Sequence, residues 1–218
     1  MERTGMFPAQ IIQLFNRETV QAWRKGQTYL FRKGDHMYYP GKIENEIYLI
    51  VDGNARLFHL HSNGKECILG IVTAGDFIDI ASVFTDKPSD AYAIALTDVS
   101  AVKIAKSRIR DEVMRTPELS MALLNHFATK LQDVIRILEQ VAYEKVEERL
   151  YTLLEKLADH SVEQAGWHPL PSFLTHKDLA GMIASTRETV TFLINKFIQN
   201  GMIQYKQEQI WLRFIRDE

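Results

Sequence analysis

The sequence holds a single cysteine, Cys67, among 218 residues. One cysteine excludes a disulfide framework within the chain, which fits a reducing compartment. It also excludes a four-cysteine zinc site or an iron–sulfur cluster held by one chain. The N-terminal residues do not resemble a signal peptide, and no apolar stretch approaches the roughly 18 residues of a membrane span. We therefore expect a cytoplasmic protein with no membrane partner.

An excess of charge of one sign is also missing. The 26 basic and 28 acidic side chains give a net charge of −2, which argues against a protein that coats nucleic acid in bulk. Residues 172–216 are the exception, because their six basic and three acidic side chains give a local charge of +3 that suits phosphate contact. The charged residues of this window are Lys177, Arg187, Lys196, Lys206, Arg213 and Arg216 against Asp178, Glu188 and Glu208.

Catalytic patterns are absent as well. The sequence contains no nucleophile–base pair, no metal-ligand triad and no phosphate-binding loop of the Walker type, so we do not expect an enzyme. The apolar fraction of 46% and the charged fraction of 25% are ordinary for a soluble globular protein. The length of 218 residues allows one large domain or two small ones.

The first half of the chain reads as a helix followed by strands. The pattern predicts a helix over residues 7–24, and short apolar runs separated by turn residues then fill residues 26–104. The dipeptides Asp52-Gly53 and Asn63-Gly64 stand between such runs and predict β-hairpins. Strands spaced this evenly over about eighty residues predict a β-barrel or jelly roll.

A long helix is predicted next, because residues 118–143 contain neither glycine nor proline. About 25 helical residues make a rod of about 38 Å. Its apolar residues alternate three and four apart, which is the pattern of a coiled-coil seam. They are Leu124, Phe127, Leu131, Val134, Leu138 and Val141. A rod of this length favours parallel pairing of two chains, and the alternative is a helix packed wholly on its own barrel.

The C-terminal part predicts a winged helix-turn-helix. An amphipathic helix from Val146 to Leu157 and a loop over residues 164–171 precede two helices within residues 175–200, joined by a tight turn at Ala184-Ser185. Capping boxes are predicted at Thr175 with Asp178 and at Ser185 with Glu188. The expected buried positions are Leu179, Met182, Ile183, Val190, Leu193, Ile194, Phe197 and Ile198. A hairpin over residues 202–212, the wing, follows.

Polar residues begin the second of these helices. Thr186, Arg187 and Thr191 lie on the face opposite its apolar stripe, where a helix can enter the major groove of DNA. The alternative is an ordinary solvated helix face.

Two segments match a known family. Residues 75–84 (G-D-F-I-D-I-A-S-V-F) are similar to that family's barrel segment G-D-F-I-G-E-L-x-x-F, and residues 185–190 (S-T-R-E-T-V) to the S-R-E-T-V core of its recognition helix. With the order of barrel, long helix and winged helix-turn-helix, the chain closely resembles the CRP/FNR superfamily (cyclic-AMP receptor protein and fumarate-nitrate reduction regulator). The resemblance covers nearly the whole chain.

The resemblance implies an α+β fold in three parts. These are a cyclic-nucleotide-binding-type β-barrel (jelly roll) over residues 1–116, a long dimerisation helix over 117–145 and a winged helix-turn-helix over 146–218. It further implies a homodimeric transcription regulator that binds a pseudo-palindromic operator in double-stranded DNA and works with RNA polymerase. Regulation would rotate the DNA-binding domains about a hinge near residues 143–147. A rival hypothesis is a cyclic-nucleotide-type module that serves as a protein-interaction subunit.

The family's effector site is degenerate in this chain. In the cyclic-nucleotide-binding members a Gly-Glu-Leu triplet and an Arg-Ser pair hold the ribose and the cyclic phosphate. The resemblance aligns these motifs with Asp79-Ile80-Ala81 and Asp90-Ala91 here. An aspartate repels a phosphate, and an isoleucine cannot accept a hydrogen bond from the ribose. We therefore expect no cyclic nucleotide, no other cofactor, and either an unidentified small organic effector or none.

The resemblance also assigns roles at the DNA. Arg187 would read a guanine, and Glu188 would accept from a cytosine unless the helix cap occupies it. Thr175, His176, Lys177 and Thr186 occupy the family's phosphate-contact positions. Where the family usually has a second arginine, this chain has Phe192, which can touch a thymine methyl group. The half-site sequence is therefore expected to differ from the family's common one.

Other residues are weak sensor candidates. His59 and His61 would share one face of a strand and could supply two metal ligands, although surface histidines are the simpler interpretation. Cys67 is expected to be a buried small hydrophobe and not a redox switch. His126 on the long helix is expected to be a packing residue, so we predict no metal site.

Overall fold

The computed structural model describes residues 11–41, 44–85 and 87–214. The chain divides into two compact units, and the division falls inside one helix, after Val134. Within the described ranges no helix is long and apolar enough to span a membrane.

The N-terminal helix is shorter than predicted. Ile11–Leu14 form a single 3-10 turn, and helix α1 covers only Arg17–Arg24. Asn16 stands between them in an extended conformation, and its side chain accepts a hydrogen bond of 2.8 Å from the backbone N–H of Thr19. Asparagine favours such N-cap positions, so it starts a new helix and does not continue the old one. Residues 7–10 of the predicted helix lie outside the described residues.

Seven strands of the first unit form two antiparallel sheets, in the orders β1-β7-β3 and β2-β6-β4-β5. In the described residues these sheets face each other as a jelly roll and do not close into a barrel. The strands are β1 (Thr28–Phe31), β2 (His36–Tyr38), β3 (Glu46–Asp52), β4 (Asn54–Leu60), β5 (Glu66–Thr73), β6 (Tyr92–Ala95) and β7 (Val99–Ala105).

Of the two predicted hairpin turns, one joins paired strands and the other does not. Asn63-Gly64 joins the paired strands β4 and β5, with Leu60 opposite Glu66, so this hairpin is confirmed. Asp52-Gly53 is not a hairpin turn, because β3 pairs with β7 while β4 pairs with β5 and β6. The chain instead crosses from one sheet to the other there. Gly53 has φ +90°, and a Cβ atom at this position would lie 2.2 Å from the backbone oxygen of Asp98.

Gly53→Ala is therefore expected to lower the free energy of unfolding more than Gly64→Ala does. Both glycines have positive φ, but an added Cβ at Gly64 meets nothing within 4 Å. The left-handed backbone costs a non-glycine residue about 1–2 kcal/mol at either site. Overpacking against backbone adds about 1–3 kcal/mol at Gly53 alone. Urea denaturation of both variants measures the difference, and equal losses would contradict the crossover geometry.

Alternate side chains of β3 point into two different hydrophobic cores. Tyr48 and Ile50 face the second sheet, among small residues such as Ala93 and Ala101. The other face of the first sheet is covered by the N-terminal segment, helix α2 (Lys106–Arg115) and the start of helix α3 (Pro117–Tyr143). The residues of this second core include Ile11, Phe15, Trp23, Ile47, Leu49, Val102, Ile104, Ile109, Val113, Leu119 and Leu123.

Helix α3 is 27 residues long, and helix α4 (Val146–Leu157) follows a two-residue break. Lys145 is extended at this break, and its backbone N–H donates to a carboxylate oxygen of Glu148 at 2.9 Å. The nearly buried Arg149 spans the break, because its Nη1 donates to the carbonyl oxygen of Val141 at 3.1 Å. The break falls within residues 143–147, where the sequence predicts a hinge.

The second unit has the predicted winged helix-turn-helix arrangement. Its helices are α4, α5 (His176–Met182) and α6 (Arg187–Gln199), and its sheet has the order β8-β10-β9. Strand β8 (Trp167–Pro169) lies within the segment expected to be a loop. Strands β9 (Ile203–Lys206) and β10 (Gln209–Arg213) form the wing. Gln207 and Glu208 both have positive φ, as in a type I′ hairpin turn.

Candidate nucleic-acid interface

Helix α5 begins with the predicted capping box. The Thr175 hydroxyl oxygen accepts from the backbone N–H of Asp178 at 3.2 Å. The Asp178 carboxylate accepts in return from the Thr175 backbone N–H at 2.9 Å and from its hydroxyl at 2.6 Å. The box starts the helix at His176, the first residue of α5, and of its two residues Asp178 is buried and Thr175 is exposed. The Thr175 hydroxyl is thus engaged inside the protein, and its contact with phosphate stays a prediction.

The start of helix α6 lies one residue later than predicted. Ala184 adopts a left-handed conformation with φ +52°, and the Ser185 N–H donates back to the carbonyl of Ala180 at 2.9 Å. The turn thereby occupies Ser185, and Thr186 becomes the N-cap, accepting from the Thr189 N–H at 3.2 Å. The predicted box of Ser185 with Glu188 is therefore wrong.

Glu188 lies beside this cap but is not part of it. As the second residue of α6 it is exposed, and the helix is capped by Thr186 without it. An exposed carboxylate at the start of a helix also interacts favourably with the helix dipole. Its side chain is therefore placed where it can meet a ligand, although its contact with a base stays a prediction.

Helix α6 presents two distinct faces. Val190, Leu193, Ile194 and Phe197 are buried as predicted, whereas Ile198 is 36% exposed and does not belong to the core face. A helix turns 100° per residue, so Glu188, Phe192 and Asn195 lie opposite the buried stripe, flanked by Arg187 and Thr191. Phe192 is 68% exposed, an unusual position for a phenylalanine. Asn195 was not predicted as a site residue, although its spacing from Glu188 (i, i+4, i+7) places it on this face.

His176 makes contacts in two directions. Its Nδ1 lies 2.9 Å from the hydroxyl oxygen of Thr191 on α6, and its Nε2 lies 3.0 Å from the hydroxyl oxygen of Tyr205 on β9. Partial burial, followed by the positive charge of Arg187, lowers the pKa of His176 below its ordinary value of about 6.5. The role of Tyr205 was not foreseen, because an exposed tyrosine in a hairpin carries no particular sequence signal.

Several basic residues of the +3 window have intramolecular partners. Lys196 pairs with Glu147 of α4 at 2.7 Å between Nζ and Oε2. The Lys206 ammonium lies 4.4 Å from the centre of the Trp211 ring. Arg187, Lys177 and Arg213 are exposed on this unit, and Arg216 lies outside the described residues. The positive charge is therefore concentrated at the start of the two helices and on the wing.

Comparisons with known proteins agree with this architecture. A model of the cyclic nucleotide-binding domain matches residues 29–116, and one of the Crp-like helix-turn-helix domain matches residues 148–215. The chain belongs to the CRP/FNR family. As a member, it is a DNA-binding transcription regulator and not an enzyme.

Individual relatives align along most of the chain. The global nitrogen regulator of Nostoc sp. is 25% identical over 183 residues, 83% of this chain and 82% of that protein. The cyclic AMP receptor protein of Thermus thermophilus is 25% identical over 179 residues, 82% of this chain and 80% of that protein. The crystal structure of a CRP/FNR-family transcriptional regulator from T. thermophilus gives a TM-score of 0.65 at 28% identity, covering 86% of this chain and 94% of that one.

The predicted seam of this CRP/FNR-family chain is mostly open to solvent. Leu131 and Leu138 on α3 are 61% and 63% exposed, and Leu124, Val134 and Val141 are also exposed. Phe127 differs, because it is half-buried and its ring meets the Phe84 ring edge-on, with centroids 6.0 Å apart. The alternative of a helix packed wholly on its own barrel does not fit these exposures. Contact of the seam with a second chain stays a prediction.

The predicted effector residues differ in how far they are buried. Ile80 is buried in the core beneath the helices, Ala91 is buried, and Ala81 and Asp90 are exposed. Asp79 has φ +59° and begins the 3-10 helix Ile80–Val83. Its backbone oxygen accepts from the Ser82 hydroxyl at 2.8 Å.

Two carboxylates, those of Asp79 and Glu44, act on the Tyr38 hydroxyl. Burial raises the pKa of the Tyr38 hydroxyl, and the charges of Asp79 and Glu44 raise it further, while the nearby Ser89 side chain opposes the shift. One Asp79 carboxylate oxygen is buried without a hydrogen-bond partner. A phosphate at this position would add a further negative charge to a poorly solvated acidic environment.

The weak sensor candidates are mostly at the surface. Cys67 is exposed, so its predicted burial is wrong, because its side chain lies on the outward side of an edge strand. His59 is an exposed residue of β4, whereas His61 lies beyond its end and accepts from the Asn63 N–H at 3.3 Å. The two histidines therefore do not share a strand face. His126 is half-buried beside Phe127, with ring centroids 5.8 Å apart. The described residues include no cluster of three or more potential metal ligands.

Proposed function

We propose that this chain is a homodimeric, sequence-specific transcription regulator of the cytoplasm that binds a pseudo-palindromic operator and works with RNA polymerase. The observation that carries the proposal is the exposed face of α6. There Arg187, Glu188 and Phe192 project from a helix whose opposite face is buried and whose start is fixed by Thr186. An arginine, a carboxylate and an exposed phenyl ring can contact guanine, cytosine and the thymine methyl group, respectively.

The open stripe on α3 supports the proposal that two chains pair. Exposed leucines and valines at heptad spacing are stabilised when a second helix covers them. Two paired chains would present two recognition helices to one side of the duplex. The half-site centres would then lie about one helical turn apart, roughly 34–36 Å.

We further propose that the regulator responds to neither a cyclic nucleotide nor an iron–sulfur cluster. The acidic surroundings of Tyr38 and Asp79 disfavour a cyclic phosphate. The single cysteine of the sequence cannot supply the ligands of a cluster. Titration calorimetry with cyclic AMP is expected to give no saturable heat, and a saturable binding curve would contradict this part of the proposal.

The test of sequence reading is Arg187→Ala. We expect it to reduce affinity for the best operator, selected from random DNA, by about 1–3 kcal/mol and to relax the preference at one base pair of each half-site. Fluorescence anisotropy with operator and random duplexes measures both effects. Arg108→Ala is the matched control, because it removes an exposed arginine from α2. Unchanged operator affinity in Arg187→Ala would remove this arginine from the readout.

A further inference from the structure

The imidazole of His176 joins three segments of the DNA-binding unit. It belongs to the first residue of α5 and contacts the hydroxyl of Thr191 on α6 at 2.9 Å and that of Tyr205 on β9 at 3.0 Å. These partners lie 15 and 29 residues further along the chain. Both ring nitrogens are therefore used inside the protein, at the position assigned by resemblance to phosphate contact.

The hydrogen-bond directions fix one tautomer. The Thr191 hydroxyl donates to the carbonyl oxygen of Arg187 at 2.9 Å, so its oxygen is left to accept from His176. Nδ1 must then carry the hydrogen and donate to Thr191. In a neutral ring Nε2 is an acceptor, and the Tyr205 hydroxyl donates to it.

Burial and the positive charge of Arg187 favour this neutral form. Arg187 from α6 faces it with a positive charge, and Lys177 follows it in α5. Tyr205 from β9 and Glu208 from the wing turn line the same cleft of about 140 Å³. Burial and Arg187 lower the pKa of His176, whereas a phosphate-binding histidine gains from being positively charged.

We propose that His176 is a positioning residue whose neutral ring holds the recognition helix α6 and the wing strand β9 in a fixed arrangement. It thereby prepares both for DNA and does not itself bind the phosphate backbone. This inference rests on the proposed function, since the arrangement matters only if α6 and the wing meet the same duplex. It differs from the phosphate contact that the family resemblance implies for this position.

The salt dependence of operator affinity distinguishes a positioning role of His176 from a phosphate contact. Each phosphate contact contributes about one unit to the slope of log affinity against log salt concentration. His176→Phe keeps a ring of similar size but removes both nitrogens, and we expect roughly tenfold weaker operator binding with an unchanged slope. Lys177→Ala, one residue further along α5, is the comparison and should reduce the slope by about one unit. A similar reduction in His176→Phe, or unchanged affinity, would overturn the proposal.

A second variant tests the bridge without altering the helix. Tyr205→Phe removes only the hydroxyl of a half-exposed side chain. We expect it to weaken operator binding in the wild-type background but to have little further effect when combined with His176→Phe, because the two groups act through one hydrogen bond. Additive effects of the two substitutions would show that they act separately and would overturn the bridge.

The tautomer can be measured on the free protein. Long-range ¹H–¹⁵N spectra at pH 7, assigned by comparison with His176→Phe, should show a protonated Nδ1 and an unprotonated Nε2 for this residue. The opposite tautomer or an imidazolium ring would overturn the bridge, whatever the DNA results. A wild-type chain that binds no DNA would overturn the proposed function instead, so the two failures are distinguishable.

Discussion

Leu131→Glu is expected to convert the proposed dimer into monomers and to weaken operator binding at least about 100-fold. Leu131 is 61% exposed on α3 of a single chain, in line with Leu124 and Leu138. A second helix would bury it, and a buried carboxylate without a partner is strongly destabilising. Two linked half-site contacts exceed a single one by roughly 10²–10⁴ in affinity, and a monomer loses this gain.

Gln132→Glu is the matched control for the seam. It introduces the same charge one residue later, at an exposed position beside the predicted stripe. Sedimentation velocity should show dimers for the control and monomers for Leu131→Glu. Fluorescence anisotropy should show that only Leu131→Glu loses affinity for operator DNA. If Leu131→Glu remains fully dimeric, the predicted seam is not the dimer interface.

Phe197→Ala is expected to lower the free energy of unfolding by about 3–5 kcal/mol, because it leaves a cavity in a closed core. Phe197 is only 2% exposed, and its ring lies edge-on to that of Tyr151 at 6.1 Å between centroids. This contact joins α6 to α4, so the substitution weakens the attachment of the recognition helix to the rest of its unit. Urea denaturation followed by tryptophan fluorescence measures the loss.

Phe192→Ala provides the comparison on the same helix. The residue type is identical, but Phe192 is 68% exposed and its removal opens no cavity. We expect a change in the free energy of unfolding within about 0.5 kcal/mol, as for most surface substitutions. Equal losses in the two variants would mean that the assignment of core and exposed faces on α6 is wrong.

The turn dipeptides in the sequence predicted the backbone geometry of the turns correctly, but they did not reliably predict which strands pair. Asp52-Gly53 and Asn63-Gly64 both meet the need for a positive φ, and both are turns between strands. Only Asn63-Gly64 joins strands that pair with each other. The strands on either side of Asp52-Gly53 pair instead with β7 (for β3) and with β5 and β6 (for β4). Ile50 lies opposite Ala101, and Leu57 lies opposite Ala93, so residues 51 and 36 positions further along the chain settle the topology.

In the candidate site, too, the sequence predicted local features but not the contacts between distant elements. Helical periodicity identified the buried stripe of α6, because it depends only on neighbouring residues. The cap moved from Ser185 to Thr186 because Ala184 adopts a left-handed conformation, which alanine rarely favours and no pattern announces. The contacts of His176 with Thr191 and Tyr205 depend on how three elements pack together, so they required the fold.

The bond across the break between α3 and α4 has a mechanical consequence. Arg149 ties α4 to the end of α3, and the Lys196–Glu147 ion pair ties α6 to α4. A displacement of the last turn of α3 would therefore pass to the recognition helix through these side chains and would not be absorbed at residues 144–145. For the last turn of α3 to move while α6 stays in place, the Arg149 bond would have to open. The break at residues 144–145 is thus bridged by a side chain and is not a free joint between α3 and α4.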